Sequence, residues 1–384
     1  MRSGVAQVQI SPSVLNWALA RSGRDKVIRR KLPKLSEWLA GKSNPTLRDL
    51  EKLAKITSTP LGYLFLPAPP KEELPIPYLR TFDYEPRHQL SPELIETVYM
   101  MKRRQEWMRQ YLIEEGHEPL PFVHSADITD KPGEVAQAIK RTLRLGDEWA
   151  AKQPTWTAAL SELRDKIEGA GILVVVNSVV GNNNYRKLDP NEFRGLVLVD
   201  PYAPLVFVNG ADGKAAQMFT LAHELAHVWL GASAAFDLRE LQPASGRIEL
   251  ACDRIAAEFL VPKSELQKVW PSASREPEPF AAIARHFKVS ELVAARRALD
   301  LGLVTKREFI DFYTEYQARE RPSQDEGGGN FYVIQRLRVG RRFAEAVIRA
   351  VREGRLLYRD AYELTGLYGK AFDKYAQSLG LGGE

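Results

Sequence analysis

The chain has 384 residues, of which 44% are hydrophobic and 27% are charged, and its formal net charge is +5. This composition is typical of folded globular proteins and excludes wholesale disorder. No run approaches the roughly 18 consecutive apolar residues that a membrane-spanning helix requires, so we expect no membrane partner. The single cysteine excludes an internal disulfide, and the N-terminus lacks the apolar run of a secretory signal, which predicts a cytoplasmic location.

The basic residues are concentrated near the N-terminus. Residues 1–55 contain twelve Lys or Arg and four acidic residues, a local charge of +8, which leaves −3 for the rest of the chain. A basic module on a near-neutral body fits a polyanion such as nucleic acid, although a solvated helical surface gives the same count about as often. Charge alone therefore leaves both interpretations open.

Residues 1–66 are predicted to form short helices, because apolar residues recur at helical spacing in three of their segments. Thr46 follows a break in this pattern and is a candidate N-cap of the third helix. The proline-rich residues 67–91 cannot continue a helix and are predicted to form a stiff extended linker. The first domain is therefore expected to end at residue 66.

Three further helices are predicted before a small sheet, over Pro92 to about Glu115, Glu134 to Leu145, and Trp156 to Gly169. Three β-rich runs follow at 172–177, 193–199 and 204–209, separated by turn residues, which indicates a small antiparallel sheet. The third run has the position of an edge strand that could pair with an extended peptide. A strand that only completes the sheet is about as plausible.

The C-terminal part is predicted to be helical. Residues 271–320 contain a helix, turn and helix over 280–300, resembling a helix-turn-helix, although such a pair more often simply packs. The charged, glycine-rich residues 321–330 are expected to be a mobile linker, and residues 331–384 a last helical unit. The predicted fold class is mainly α with a small antiparallel β-sheet, an α+β fold.

The sequence His223-Glu224-Leu225-Ala226-His227 lies in a helix predicted from about Ala215 to Leu230. Residues four apart share a helix face, so the two imidazoles can converge on one metal ion. Glu224 lies about 100° round the helix from His223, where it can reach a metal-bound water but not easily the ion. Two neutral nitrogens, an open position and a nearby carboxylate are what zinc-assisted hydrolysis requires.

A third ligand is predicted on the next helix, from about Arg247 to Leu260. Glu249 lies 22 residues after His227, and Asp253 shares its helix face. Glu249 can ligate the ion while Asp253 accepts the second N–H of a ligating histidine. Cys252 is expected to point away from that face and to serve in packing. The alternative is that the histidines are satisfied core groups and that the acids form a solvated face.

These two segments resemble the ImmA/IrrE metallo-endopeptidases, through FTLAHELAHVWLG at 219–231 and IELACDRIAAEFLVP at 248–262. The resemblance implies a zincin-like, gluzincin core over 92–270, with His223, His227 and Glu249 as zinc ligands and Glu224 as catalytic base. One Zn²⁺ per chain is expected; Mn²⁺ is possible but less favoured by the ligand types. The sequence departs from the family pattern at Ala226, Ala251 and Asp253, and no departure removes a ligand.

The N-terminal unit is similar to the XRE-type helix-turn-helix found ahead of this peptidase in a fused subgroup, through residues 36–56 and the PLGYLFLPAPP that follows. The resemblance implies DNA binding, with Lys34, Ser36 and Lys42 as candidate contacts. Residues 328–366 also resemble the fused subgroup. The likeness therefore covers most of the chain.

The function that this resemblance implies is a zinc-dependent endopeptidase of narrow specificity, which cleaves a partner transcriptional repressor in a stress or mobile-element response. Glu224 would activate a water and later pass its proton to the leaving amine. One alternative is a DNA-binding regulator or antitoxin-like component whose metal site is structural or vestigial. Another is a peptidase whose helix-turn-helix only docks the protein substrate.

Overall fold

The computed structural model describes residues 7–71, 90–231, 246–319 and 331–381. Their contacts divide the chain into two compact units, one of residues 7–71 with 90–99 and one of residues 100–381. The predicted linker at 321–330 and most of the linker at 67–91 lie outside the described residues. The finer division of the second unit into peptidase core, helical pair and C-terminal helices stays a prediction.

The first unit is a cluster of short helices around an apolar core. Val14, Leu15 and Ile28 are completely buried in it. The predicted N-cap is present, because Thr46 Oγ1 accepts from the backbone N–H of Asp49, whose carboxylate in turn accepts from the backbone N–H of Thr46. The elements are α1 (Pro12–Ser22), α2 (Asp25–Lys31), α3 (Leu35–Leu39), α4 (Leu47–Thr57) and a 3-10 helix (Leu61–Phe65).

The remaining elements are mostly helices. They are α5 (Pro92–Glu114), α6 (Pro132–Leu143), α7 (Trp156–Gly169), β1 (Leu173–Asn177), β2 (Val179–Val180), β3 (Asn183–Lys187), β4 (Gly195–Leu198), β5 (Leu205–Asn209), α8 (Lys214–Leu230), α9 (Gly246–Leu260), α10 (Lys263–Ala273), α11 (Pro279–Phe287), α12 (Glu291–Asp300), α13 (Lys306–Ala318), α14 (Phe331–Val339), α15 (Arg341–Arg352), α16 (Tyr358–Thr365) and α17 (Lys370–Ser378). The predicted fold class, mainly α with little sheet, is confirmed. Within the described residues, no helix has both the length and the apolar character needed to cross a bilayer.

The main sheet has three strands in the order β1-β5-β4, and β2 and β3 form a separate hairpin. β4 and β5 are antiparallel as predicted, but β1 and β5 run parallel, so the sheet is mixed. The prediction that residues 204–209 form an edge strand is wrong, because β5 pairs on both sides. More than twenty residues separate β1 from β5, which gives β5 enough chain to insert between its two partners.

The sheet and the surrounding helices share one apolar core. α8 packs against β4 and β5 on one side and against α9 on another. The predicted helix-turn-helix at 280–300 is present as α11 and α12, joined at Lys288 in the left-handed conformation. Its apolar side chains, including Phe280, Ile283 and Ala295, belong to the same core as α8. The pair therefore packs into the core that surrounds the sheet, as expected for a helix pair that only packs.

The C-terminal helices contact the free side of β1. α14 packs against β1, and Gly340, the N-cap of α15 with φ +84 and ψ 134, lies directly beside the Val174 carbonyl. A Cβ at residue 340 would lie 2.9 Å from that oxygen. Arg104 on α5 is buried and donates to the carbonyls of Leu364 and Arg338, which ties the same helices to α5. These contacts hold the C-terminal helices against β1 and α5 within the second unit.

We predict that Gly340→Ala destabilises the protein by about 1–3 kcal/mol, because an L residue is strained at this backbone conformation and its Cβ meets a carbonyl oxygen. Gly354→Ala is the control: φ is +69 there, but a Cβ would have nothing within 4 Å, so about 1 kcal/mol is expected. Urea unfolding of the full chain measures both. Equal losses in the two variants would contradict the proposed close contact at Val174.

Candidate metal centre

The helix that carries the two histidines, α8, is anchored at its C-terminal end. It ends at Gly231, whose φ of +62 suits a left-handed C-cap. Near this end the backbone N–H groups of His124 and Ala126 donate to the carbonyls of Val228 and Trp229. The Trp229 ring also stacks on Phe122, with the ring centroids 4.6 Å apart. Two of the carbonyls in the last turn are therefore satisfied, which anchors this end of the helix.

His223, Glu224 and His227 are all buried, with exposed fractions of 2%, 7% and 6%. Ionisable side chains are seldom buried to this degree without a partner. α9 supplies partners for the histidines: it packs on α8 by burying Cys252, Ile255 and other apolar residues, and this turns Glu249 and Asp253 toward the two imidazoles. The predicted meeting of the two helices is therefore present.

The carboxylate of Glu249 lies between the two histidines. Its Oε2 is 3.1 Å from His223 Nε2, its Oε1 is 3.4 Å from His227 Nε2, and the two Nε2 atoms are 3.2 Å apart. Donors that bind one tetrahedral zinc ion at 2.0–2.1 Å lie about 3.3–3.4 Å from each other. The three side chains therefore fit a single zinc ion, and two nitrogens with one carboxylate leave a fourth position for water or substrate.

Asp253 lies behind this triangle. Its Oδ1 is 2.9 Å from His223 Nδ1, so a neutral His223 with its proton on Nδ1 would present Nε2 to the metal position. Although burial lowers the pKa of His223, its hydrogen bonds to Asp253 and Glu249 raise that pKa to about 9. Burial raises the pKa of Glu249, but hydrogen bonds from both histidines bring it far below its usual value. The surroundings thus favour a positive charge between the imidazoles, which a divalent cation would supply in place of a proton.

His227 is held differently from His223. Its Nδ1 is buried and finds no hydrogen-bond partner among the described residues. Among the described residues no carboxylate accepts from its Nδ1, and Glu249 contacts the ring only at Nε2. Loss of Asp253 is therefore expected to affect one ligand and not the other.

Cys252 lies nearer to the metal position than the sequence predicted. One donor atom each from His223, His227 and Cys252 lie within 4.8 Å of one another, so the expectation that the thiol points away is wrong. The residue follows Glu249 by three positions, close enough in helical phase to approach the same neighbours. Two side chains thus compete as third donor, and the distances of 3.1 and 3.4 Å from the Glu249 oxygens to the two Nε2 atoms, which match those expected around one zinc ion, favour Glu249.

The carboxylate of Glu224 is directed toward β4. Its Oε1 lies 3.0 Å from the position that a Cβ on Gly195 would occupy. The same glutamate acts electrostatically on His223 and raises its pKa. The predicted base therefore lies beside the histidine pair, in a space bounded by a glycine that the sequence motif does not include.

The candidate DNA contacts Lys34, Ser36 and Lys42 are exposed in the first unit. Ser36 lies in α3, a helix of only five residues, and Lys34 immediately precedes that helix. The Arg29 guanidinium on α2 donates to Ser36 Oγ at 3.4 Å. The three residues thus lie around one short helix.

The fold and the buried histidine and glutamate side chains fit a metallopeptidase-type domain. Residues 167–299 match a peptidase family model described as the IrrE N-terminal-like domain, and this range includes every residue of the metal centre. The match supports the ImmA/IrrE family for this region. Residues 339–378 match the model of a domain of unknown function. A search of curated proteins finds no significant match.

We predict that the third zinc donor is the Glu249 carboxylate and not the Cys252 thiol. Glu249→Ala should lower zinc affinity by more than the roughly 10–100-fold that loss of an outer partner such as Asp253 costs. Cys252→Ser should change it by no more than a few-fold. Zinc per chain, measured by mass spectrometry during competition with a chelator, tests this. If the serine variant lost zinc while the alanine variant kept it, the thiol would be the ligand.

Proposed function

We propose that this protein is a zinc-dependent endopeptidase, with His223, His227 and Glu249 holding one zinc ion and Glu224 acting as the catalytic base. The observation that carries this proposal is the position of the Glu249 carboxylate, within 3.1 and 3.4 Å of two imidazole nitrogens that are themselves 3.2 Å apart. A chance pair of histidines on a helix gives no reason for a carboxylate from another helix to meet both Nε2 atoms.

When bound, the zinc ion supplies a Lewis acid that acidifies water and polarises a peptide carbonyl. The chain's own residues supply the proton transfers. Glu224 would take a proton from the attacking water and later donate it to the nitrogen of the departing amine. Its carboxylate is buried, and a site that excludes bulk water strengthens each of these electrostatic interactions.

Asp253 would keep His223 in the tautomer that leaves Nε2 free to bind metal. This role is consistent with the 2.9 Å contact to Nδ1. Because the ring is also buried, the hydrogen bond acts in a medium where it is stronger than in water. We therefore assign Asp253 to the support of a ligand and not to the reaction.

We place the substrate backbone along β4. Only one side of this strand pairs with another described strand, and its first residue lies against Glu224. The other outer strand, β1, is contacted by α14 and by Gly340. An extended peptide that adds to a sheet edge gains main-chain hydrogen bonds, so pairing with β4 would bring a peptide bond near the base. This replaces the sequence-based expectation for residues 204–209.

The substrate that we propose is a partner transcriptional repressor, cleaved at one or a few positions in a stress or mobile-element response. This part of the proposal rests on the resemblance to the ImmA/IrrE family, which the match over residues 167–299 supports. A repressor encoded beside this gene is the first substrate to test. The alternative remains a DNA-binding regulator or antitoxin-like component with a structural metal.

We predict that Glu224→Gln retains zinc but loses cleavage by a factor of about 10²–10⁴, because glutamine cannot accept the proton of water. Wild type and variant are compared with the neighbouring repressor as substrate, by the appearance of fragments over time, with zinc content measured on the same samples. Cleavage at equal rates by both proteins would refute the assigned base. Cleavage by neither, with zinc bound in both, would favour a structural metal.

A second function is suggested by the first unit. Lys26, Arg30, Lys31 and Lys34 are all exposed on α2 and on the turn that follows it. Lys42 is also exposed, and we propose that these five side chains form a basic surface around α3. We propose that this surface contacts the phosphate backbone of DNA, which would bring the peptidase to DNA-bound repressors. The competing proposal is that it docks the protein substrate alone.

We predict that the full-length protein binds duplex DNA, and that a Lys34→Ala/Lys42→Ala variant binds more weakly with a smaller salt dependence. Each lost phosphate contact should reduce the slope of log K against log salt by about 1. Electrophoretic mobility shifts at several salt concentrations measure it, with Lys306→Ala, an exposed lysine on α13, as control. Undetectable DNA binding at low salt would favour the protein-docking role.

A further inference from the structure

Gly195 is the one residue of β4 without a side chain, in a strand that otherwise consists of Leu and Val. It is buried, and it lies opposite Val208 in the β4–β5 ladder. A glycine inside a strand weakens the strand, so its presence usually marks a bulge or a close approach by another group. The register of β4 and β5 is regular over these four residues, which excludes a bulge here.

The backbone conformation does not require glycine at this position. Gly195 is not among the residues with positive φ, so any L residue could adopt its conformation. What glycine provides is space. A Cβ at residue 195 would lie 2.5 Å from Thr220 Cγ2, 3.0 Å from Glu224 Oε1 and 3.0 Å from the carbonyl oxygen of Phe207.

Two of these three neighbours come from the metal helix. Thr220 and Glu224 are four residues apart on α8 and so share the face that meets β4. Both are buried, with 7% exposed. The glycine therefore allows the helix to approach the strand closely at the level of the Glu224 carboxylate.

We infer that Gly195 is a positioning residue for Glu224: by lacking a side chain, it reserves the space in which the carboxylate lies beside His223. The inference rests on the proposed function, because it assumes that Glu224 is the base. It goes beyond the metal-binding motif because it assigns to a residue of β4, outside the motif, a part in positioning Glu224.

The physical consequence of filling this space is a displaced carboxylate. Contacts of 2.5 Å with carbon and 3.0 Å with oxygen are shorter than a Cβ normally makes, so Thr220, Glu224 or the strand must move. The three atoms nearest to that Cβ belong to Thr220, Glu224 and Phe207 and to none of the metal ligands, so we expect those ligands to stay in place. Gly195→Ala should therefore separate loss of the base from loss of the metal.

The test uses a readout that does not require a peptide substrate. Acetohydroxamate binds zinc through two oxygens and is held more tightly where a neighbouring base accepts its acidic proton. We expect Gly195→Ala to keep one zinc per chain and to bind acetohydroxamate about tenfold more weakly, since a displacement near 1 Å can cost a catalytic group up to about 10²-fold. Glu224→Gln gives the reference for complete loss of the base. Calorimetric titration of the zinc-loaded full chain measures all three proteins.

Two further variants separate placement from packing. Thr220→Ser in the Gly195→Ala background removes the methyl group at 2.5 Å but leaves the contact with Glu224 Oε1. We expect this double variant to regain thermal stability without regaining hydroxamate affinity. Gly133→Ala is the matched control, because the atoms nearest to a Cβ there belong to Glu258 and lie at ordinary distances of 3.7 Å or more. It should bind hydroxamate as the wild type does.

The outcomes distinguish this inference from the proposed function. If Glu224→Gln weakens hydroxamate binding and Gly195→Ala does not, the inference is overturned and the base remains assigned. If Glu224→Gln has no effect on hydroxamate affinity or on cleavage, the proposed base fails first. Recovery of affinity together with stability in the Thr220→Ser double variant, or loss of zinc in Gly195→Ala, would show a packing role alone and would also overturn the inference.

Discussion

The contact on which the site depends is the one between α8 and α9, which holds the Glu249 carboxylate against two buried imidazoles. Burying ionisable groups is unfavourable unless each finds a partner of suitable charge. His223 has such partners in both Glu249 and Asp253. The apolar residues of α9 provide the packing that brings these carboxylates inside. The apolar packing between α8 and α9 thus determines where the carboxylates meet the imidazoles. The charges of these groups in turn favour binding of a cation.

Support for the metal helix comes from three sides. The sheet lies against one face, α9 lies against another, and the segment around His124 satisfies carbonyls near its C-terminal end. A site on a helix fixed in this way is held more precisely than a site on loops, which matters because small displacements of a base are costly. The close approach at Gly195 belongs to the same arrangement, since it brings β4 and Glu224 together.

Elements other than α8 and α9 also bear on this site. α14 and Gly340 contact the outer side of β1, which leaves β4 as the sheet edge next to Glu224. α11 and α12, which look like a helix-turn-helix in sequence, bury their apolar faces in the core beneath the metal helix. The same sequence pattern occurs in DNA-recognition modules and in helix pairs that only pack in a core. The burial of the apolar side chains of α11 and α12 favours the second interpretation here.

The amino-acid sequence alone determined the fold class and the two helices that carry the proposed metal ligands, because a four-residue spacing of histidines and the E-x-x-x-D spacing of the acids are local properties of a helix. Strand order was not local: β5 is the central strand because it pairs with a distant partner as well as a near one. The approach of Cys252 to the histidines and the space at Gly195 likewise depend on how separate elements pack. Only the tertiary structure could decide these points, because the spacing of residues within one helix or strand does not determine how far they lie from residues of another element.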